Sequence, residues 1–125
     1  MILDASTVSA ILEGNEEIDR ILVDAEVYWL PIPVVGEYLF GIRGSKRQRK
    51  LSTGFEALLE ASRLQICDFG TAEIYAEVRQ ELKRIGKPIP ENDMWIAALA
   101  RQHQLEIVSR DVHFDAVPGI TRIAW

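Results

Sequence analysis

Four acidic residues stand where strands should end or helices begin. They are Asp4 in "ILDAS", Glu37 in "VVGEYLFGI", Asp93 in "PENDMWIAALA" and Asp111 in "SRDVHFD". Asp93 poses the question most sharply, because Met94 to Ala100 behind it is wholly apolar and reads as buried helix. A carboxylate beside such a core loses hydration, at a cost of roughly several kcal/mol unless something pairs with it. Either the helix start satisfies Asp93 or a cation does. Each acid, taken alone, also has a plain reading. Asp4 would be a turn or helix-capping residue. Asp93 would lie in a first turn behind an Asn92 cap, stabilised by the helix dipole and free N–H groups. Asp111 would cap a short turn or be presented at a strand end. Glu37 is the only charged residue between Pro33 and Ile42, and an all-apolar helix is normally buried. Its side chain is therefore expected to point inward or into a cleft, with site and structural roles evenly weighed.

Taken together the four say more. Two follow strand ends, one sits on an apolar helix and one opens a helix, all compatible with one edge of one sheet. Clustered carboxylates repel and do not stay ionised together without a cation. Oxygen ligands favour Mg²⁺ or Mn²⁺ over zinc. Such a centre can polarise a phosphodiester and lower the pKa of water for in-line attack.

The elements needed to place them are legible. Ile2-Leu3 is a short strand, and a helix follows from Ser6 or Thr7 to Gly14. Ile18, Ile21, Leu22 and Ala25 repeat at helical spacing. "VYWLPIP" reads as a strand broken by proline, with "VVGEYLFGI" helical after it. Ser45 and Gln48 could form a capping box for a helix whose apolar face is Leu51, Phe55, Leu58 and Leu59, with "STG" at 52–54 as a point of breakage or kinking. "LQIC" is the next strand; Ile74, Val78, Leu82 and Ile85 give another helix, closed by Gly86 and Pro88. A helix from Pro90 to His103 precedes strands at "EIVS" and "TRIAW". Strands alternating with helices imply an α/β fold with a mostly parallel sheet covered on both faces. Ligands in such folds bind beyond the carboxyl ends of the strands.

A length of 125 residues suits a single domain. No apolar run approaches the roughly 18 residues that span a bilayer. The start "MILDAST" has no basic segment of a signal peptide, and one cysteine, Cys67, excludes an intrachain disulfide and multi-cysteine zinc sites. The expectation is a cytoplasmic protein. A net charge of −5 argues against a general nucleic-acid coat. Yet "RGSKRQRK" concentrates Arg43, Lys46, Arg47, Arg49 and Lys50 without an acid. It would suit phosphate contacts along RNA, contacts to an acidic part of a protein partner, or simply a solvated helix start.

On "ILDAS", "VVGEYLFGI", "NDMWIAALA", "EIVSRDVHF" and the later "VPGI", the chain resembles PIN-domain proteins, specifically the small ribonuclease toxins of VapBC toxin–antitoxin pairs. The resemblance spans nearly the whole length. It implies a PIN-like three-layer sandwich, RNA phosphodiester hydrolysis, a homodimer, and a cognate antitoxin that occupies the active-site groove. Asp4, Glu37, Asp93 and Asp111 would form the acidic quartet that holds Mg²⁺ or Mn²⁺. Ser6 and Ser109 match small polar positions near the metal, and Asp115 could act as an outer ligand. Many relatives carry Asn where this chain has Ser6. A hydroxyl still bonds a metal water, so activity is expected.

The remaining residues read more plainly. His103 and His113 lack zinc-like spacing, the first ending a helix and the second packing beside Phe114. Cys67 reads as core. Trp29, Trp95 and Trp125 suit the core or a dimer interface, and Tyr38, Leu39 and Phe40 the core or a partner. A phosphatase with an aspartyl nucleophile would show Asp-x-Asp after the first strand, where Ser6 replaces the second acid; a receiver domain would need an acidic pair there too. The non-enzymatic alternative is a PIN-like module, weak or inactive in catalysis, that binds RNA or a protein partner.

Overall fold

The computed structural model describes residues 1–125. Strand β1 (Ile2–Leu3) is wholly buried, as befits the centre of a sheet covered on both faces. The chain continues through α1 (Ala5–Leu12), α2 (Glu16–Leu22), β2 (Trp29–Pro31), α3 (Ile32–Arg43), α4 (Gln48–Ala61) and β3 (Arg63–Gln65). It ends with α5 (Phe69–Arg84), α6 (Glu91–His103), β4 (Ile107–Val108), a 3₁₀ turn (Val112–Ala116) and β5 (Arg122–Ile123). The strands pair in the order β3-β2-β1-β4-β5 and every pairing is parallel. Parallel neighbours need helical crossovers, which is why helices flank the sheet. The result is the α/β layered fold expected from the alternation of elements.

The strand order runs outward from β1 in both directions, so the crossovers leave a crevice beside it at the carboxyl edge. Leu3 is in register with Val108, and the residues that follow both strands therefore emerge side by side. Helix α6 anchors this arrangement. Met94, Ile96, Ala97, Ala98, Leu99 and Ala100 are all buried, and the run of alanines lets neighbouring elements approach closely. Helix α5 packs beside it through Val78 and Leu82, with Tyr75 stacked on Trp95 at 4.1 Å between centroids. Gly86, at φ +67°, closes α5 in the left-handed region that a side chain rarely adopts.

Several local expectations give way to packing. Helix α4 runs unbroken through Ser52, Thr53 and Gly54, because Gly54 faces α1 closely enough that a Cβ would lie 3.1 Å from Leu12. Its capping box does not form. Ser45 Oγ accepts from the Arg47 N–H (3.1 Å), and the Gln48 side chain donates to the Arg43 carbonyl (2.7 Å). Strand β3 ends at Gln65, leaving Ile66 exposed and Cys67 half-buried. Helix α1 begins one residue early, with Asp4 itself as its cap. Helix α6 starts at Glu91 behind Pro90, so Asn92 lies inside the first turn instead of capping it.

The largest departure concerns α3. Its buried stripe is only Val34 and Ile42, one on either side of a Tyr38 that stacks on Phe55 of α4 at 4.7 Å. These positions recur every four residues, a narrow seam. Val35 and Tyr38 pack at the margin of the core, whereas Ile32, Leu39 and an 82 % exposed Phe40 face outward, and Glu37 is exposed as well. An apolar composition on this helix marks open surface.

Candidate metal centre at the carboxyl edge

Asp4 follows β1 directly and caps the helix after it, as its plain reading expects. Its Oδ1 caps α1 by accepting the Thr7 N–H (2.8 Å), while the Ser6 hydroxyl lies 2.9 Å from each carboxylate oxygen. The Ser109 hydroxyl, one residue past β4, donates to Oδ2 from the neighbouring strand. Asp4 is only 4 % exposed, and these donors replace its lost hydration. Ser109 is fully buried and also accepts the Asp111 N–H (2.9 Å), tying the first acid to the last. Thr7 supports the same seam, donating to the Val108 carbonyl (2.6 Å) and accepting from the Trp125 indole (3.0 Å).

Asp93 enters from the first turn of α6 and Asp111 from the loop after β4. Between them lies His113, which the linear reading had packing beside Phe114. Its Nδ1 is 2.9 Å from Asp111 Oδ1 and 3.2 Å from Asp93 Oδ2. Its backbone N–H also donates to Asp111 Oδ1 (3.0 Å). His113 therefore turns toward the carboxylates, not onto Phe114, which is buried on its own. The available signal was the Asp-x-His spacing at a turn start, a weak one.

Asp4, Ala5, Ser6, Glu37, Glu91, Asn92, Asp93 and Asp111 line one cleft of about 510 Å³. The structure thus brings the four candidate acids to a single opening. Glu37 stands at its rim, its Oε2 3.5 Å from Asn92 Nδ2. Glu91 is a fifth acid that the linear reading passed over; it is engaged by the Tyr75 hydroxyl and by Arg79 at 3.4 Å. Asp115 lies elsewhere. Both its oxygens accept from Arg122 (2.8 Å each), which also donates to the Ser109 carbonyl (3.0 Å). That fork stiffens the loop behind the site. Arg122→Ala is expected to cost about 1–2 kcal/mol, read by urea unfolding, since it forfeits a charge-assisted bond to a carbonyl and a bidentate pair.

Burial pushes the Asp93 carboxyl above the ordinary aspartate range. The bond from His113 opposes this, while the charges of Asp111 and Asp4 add to it. A raised native pKa means that the folded state binds the proton more tightly than the unfolded chain does. The favourable contribution is therefore full below the unfolded aspartate value and is lost as pH rises through the native one. In chelator, the melting temperature of wild type should fall relative to Asp93→Asn as pH rises across that window. A constant difference between the two would refute it.

The donor set suits a divalent cation. Asp93, Asp111 and His113 each offer one ligand atom, and these lie within 4.8 Å of one another. The charge that burial makes costly on Asp93 is the charge a cation would neutralise.

Arg43, Lys46, Arg47, Arg49 and Lys50 are all exposed, and none is held in an ion pair. Four of them share a shallow depression with Thr53. A trough containing Ala5, Glu37, Tyr38, Phe40 and Leu51 adjoins the cleft, with Ala5 and Glu37 bordering both openings. The tryptophans are half-buried: Trp29 lies under Arg63 at 5.9 Å and Trp125 under Arg110 at 5.5 Å.

The chain is a small α/β domain with an all-parallel sheet and acidic side chains gathered beside its central strand. The PIN domain family matches residues 1–120, and the chain belongs to that family. It is 32 % identical to the toxin FitB of Neisseria gonorrhoeae, over 89 % of this chain and 87 % of that protein. To the ribonuclease VapC5 of Mycobacterium tuberculosis it is 26 % identical, over 98 % and 90 % of the two chains. The solved structure of VapBC2 from Rickettsia felis, bound to a promoter DNA fragment, superposes with a TM-score of 0.91 at 19 % identity, covering 99 % of this chain and 97 % of that one.

Proposed function

We propose that this protein is a divalent-metal-dependent endoribonuclease, the toxin of a toxin–antitoxin pair. The observation that carries the reading is the convergence of Asp4, Glu37, Asp93 and Asp111 on one open cleft in a PIN-domain chain. The likeness to proteins named ribonuclease VapC5 and toxin FitB supports the substrate class.

Asp93 and Asp111 would hold Mg²⁺ or Mn²⁺, with Glu37 closing the rim and Asp4 presented from the sheet. A divalent ion bound there supplies an acidified water and charge stabilisation at the scissile phosphate. The chain does the positioning. Ser6, Ser109 and the Thr7 N–H keep Asp4 from swinging away, and Ser109 holds Asp111 through its backbone. Asp115 supports the same loop through Arg122. Lys46, Arg47, Arg49 and Lys50 would neutralise phosphates of a strand leaving along the trough, without reading its bases.

Protein partners belong to the same reading. Exposed Leu39 and Phe40 beside the cleft, and exposed Leu64, Ile66 and Phe69 near edge strand β3, give apolar surface for an antitoxin and for a second copy of the chain. No helix is long and apolar enough to cross a membrane.

The test incubates antitoxin-free protein with a mixed RNA pool, with Mg²⁺ or Mn²⁺ supplied or chelated. Cleavage that requires the ion is expected. Binding of RNA without cuts under either condition would replace this reading with that of a non-cutting PIN module.

A further inference from the structure

We infer that His113 is a ligand of this centre, its Nδ1 joining the carboxylates of Asp93 and Asp111, and that it biases the site toward Mn²⁺ over Mg²⁺. The inference rests on the proposed metal site and adds a residue outside the acidic quartet.

Three observations carry it. The first is spacing. Adjacent donors around an octahedral ion with bonds of about 2.1 Å lie roughly 3.0 Å apart. The separations from Nδ1 to the two carboxylate oxygens, 2.9 and 3.2 Å, bracket that edge. An ion could enter on the open side of these atoms with little movement of any of them.

The second is anchoring. His113 is held at its backbone, although its side chain is 44 % exposed. Its N–H is bonded to Asp111, and the next residue, Phe114, is buried to 1 % exposure within the 3₁₀ turn. The ring is therefore delivered to the cluster by a pinned backbone. No hydrogen bond directs it elsewhere.

The third is the donor set. Asp93, Asp111 and His113 each offer a ligand atom, and these atoms lie within 4.8 Å of one another, so an ion gripped by the two carboxylates has the imidazole within reach. Imidazole nitrogen is accepted readily by first-row transition ions, whereas Mg²⁺ holds to oxygen and water.

The rival explanation is that the ring only hydrogen-bonds the two acids and withdraws when an ion binds. Pulsed EPR of Mn²⁺ bound to untagged wild-type protein separates the two. Direct ligation gives nitrogen hyperfine coupling from a coordinated imidazole, retained in His103→Ala and absent in His113→Ala. Titration should show Mn²⁺ affinity falling about 10–100-fold in His113→Ala, the scale on which a lost metal-site partner acts, with Mg²⁺ affinity nearly unchanged. Unfolding in chelator checks that the variant is folded, and the wild-type spectrum decides even if it is not. Bound Mn²⁺ without nitrogen coupling, but still lost in Asp93→Asn, would overturn the role of His113 and leave the metal site intact. Mn²⁺ binding that is indifferent to both Asp93→Asn and Asp111→Asn would overturn the metal site itself, and this inference with it.

Discussion

Asp93→Asn should lose metal-dependent RNA cleavage by about 10²–10³-fold, the scale seen when a charge-stabilising group leaves an active site, while its metal-free fold stays as stable as wild type or becomes slightly more so. The two halves of this result have one cause. Asp93 is held close to Asp111 and Asp4 and shielded from water, so its charge is unfavourable until a cation arrives. Asparagine removes that charge and still fits the first turn of α6. What it forfeits is the favourable meeting of a carboxylate with a helix N-terminus, about 0.3–1 kcal/mol, which offsets part of the relief. Cleavage assays and thermal unfolding in chelator read the two halves separately. Had Asp93 been placed for capping alone, the variant would lose stability and keep its activity. That pattern would sink the site assignment.

Asp4→Ala is expected to behave in the opposite way, losing activity and fold together. The substitution leaves the Thr7 N–H and the Ser6 and Ser109 hydroxyls without their shared acceptor, at a place that is 4 % exposed. A lost N-cap costs about 0.5–2 kcal/mol, and stranded buried donors add about 1–3 kcal/mol. A total near 2–4 kcal/mol corresponds to a fall in melting temperature of roughly 5–15 °C for a domain of this size. Asp4→Asn should lie in between, because its carbonyl keeps the Thr7 and Ser6 bonds while its amide meets Ser109. Urea unfolding of the three proteins in chelator checks the order. An Asp4→Ala protein as stable as wild type would show that the hydroxyl brace contributes nothing. The contrast between Asp4 and Asp93 follows from their surroundings, since one carboxylate is braced by three donors and the other is crowded by like charge.

Much of this arrangement could be read along the chain. Alternating apolar strands and amphipathic helices implied a covered parallel sheet, and local physics enforces that: strands this short and this apolar have no stable place except between two helical layers. The run from Met94 to Ala100 had to be buried, and it is the most buried helix in the molecule. Acids placed after strands, on an apolar helix or at the start of one are compatible with one edge once the sheet is parallel, which is why Asp4, Glu37, Asp93 and Asp111 could be grouped from the sequence alone.

The tertiary structure decided the rest, because those features depend on partners far away in sequence. Asp4 is braced by Ser109, a hydroxyl 105 residues away, through the register of β1 with β4. His113 and Asp93 meet across 20 residues, and no local pattern distinguishes that ring from one that packs on Phe114. Asp115 looked like a neighbour of Asp111 until Arg122 claimed both its oxygens. Helix α3 shows the limit best: its composition demanded burial, but a single chain has only one seam to offer it, so Glu37 and Phe40 remain at the surface. Periodicity and composition state what a segment can bury, whereas what covers it is set by elements that arrive from elsewhere in the chain.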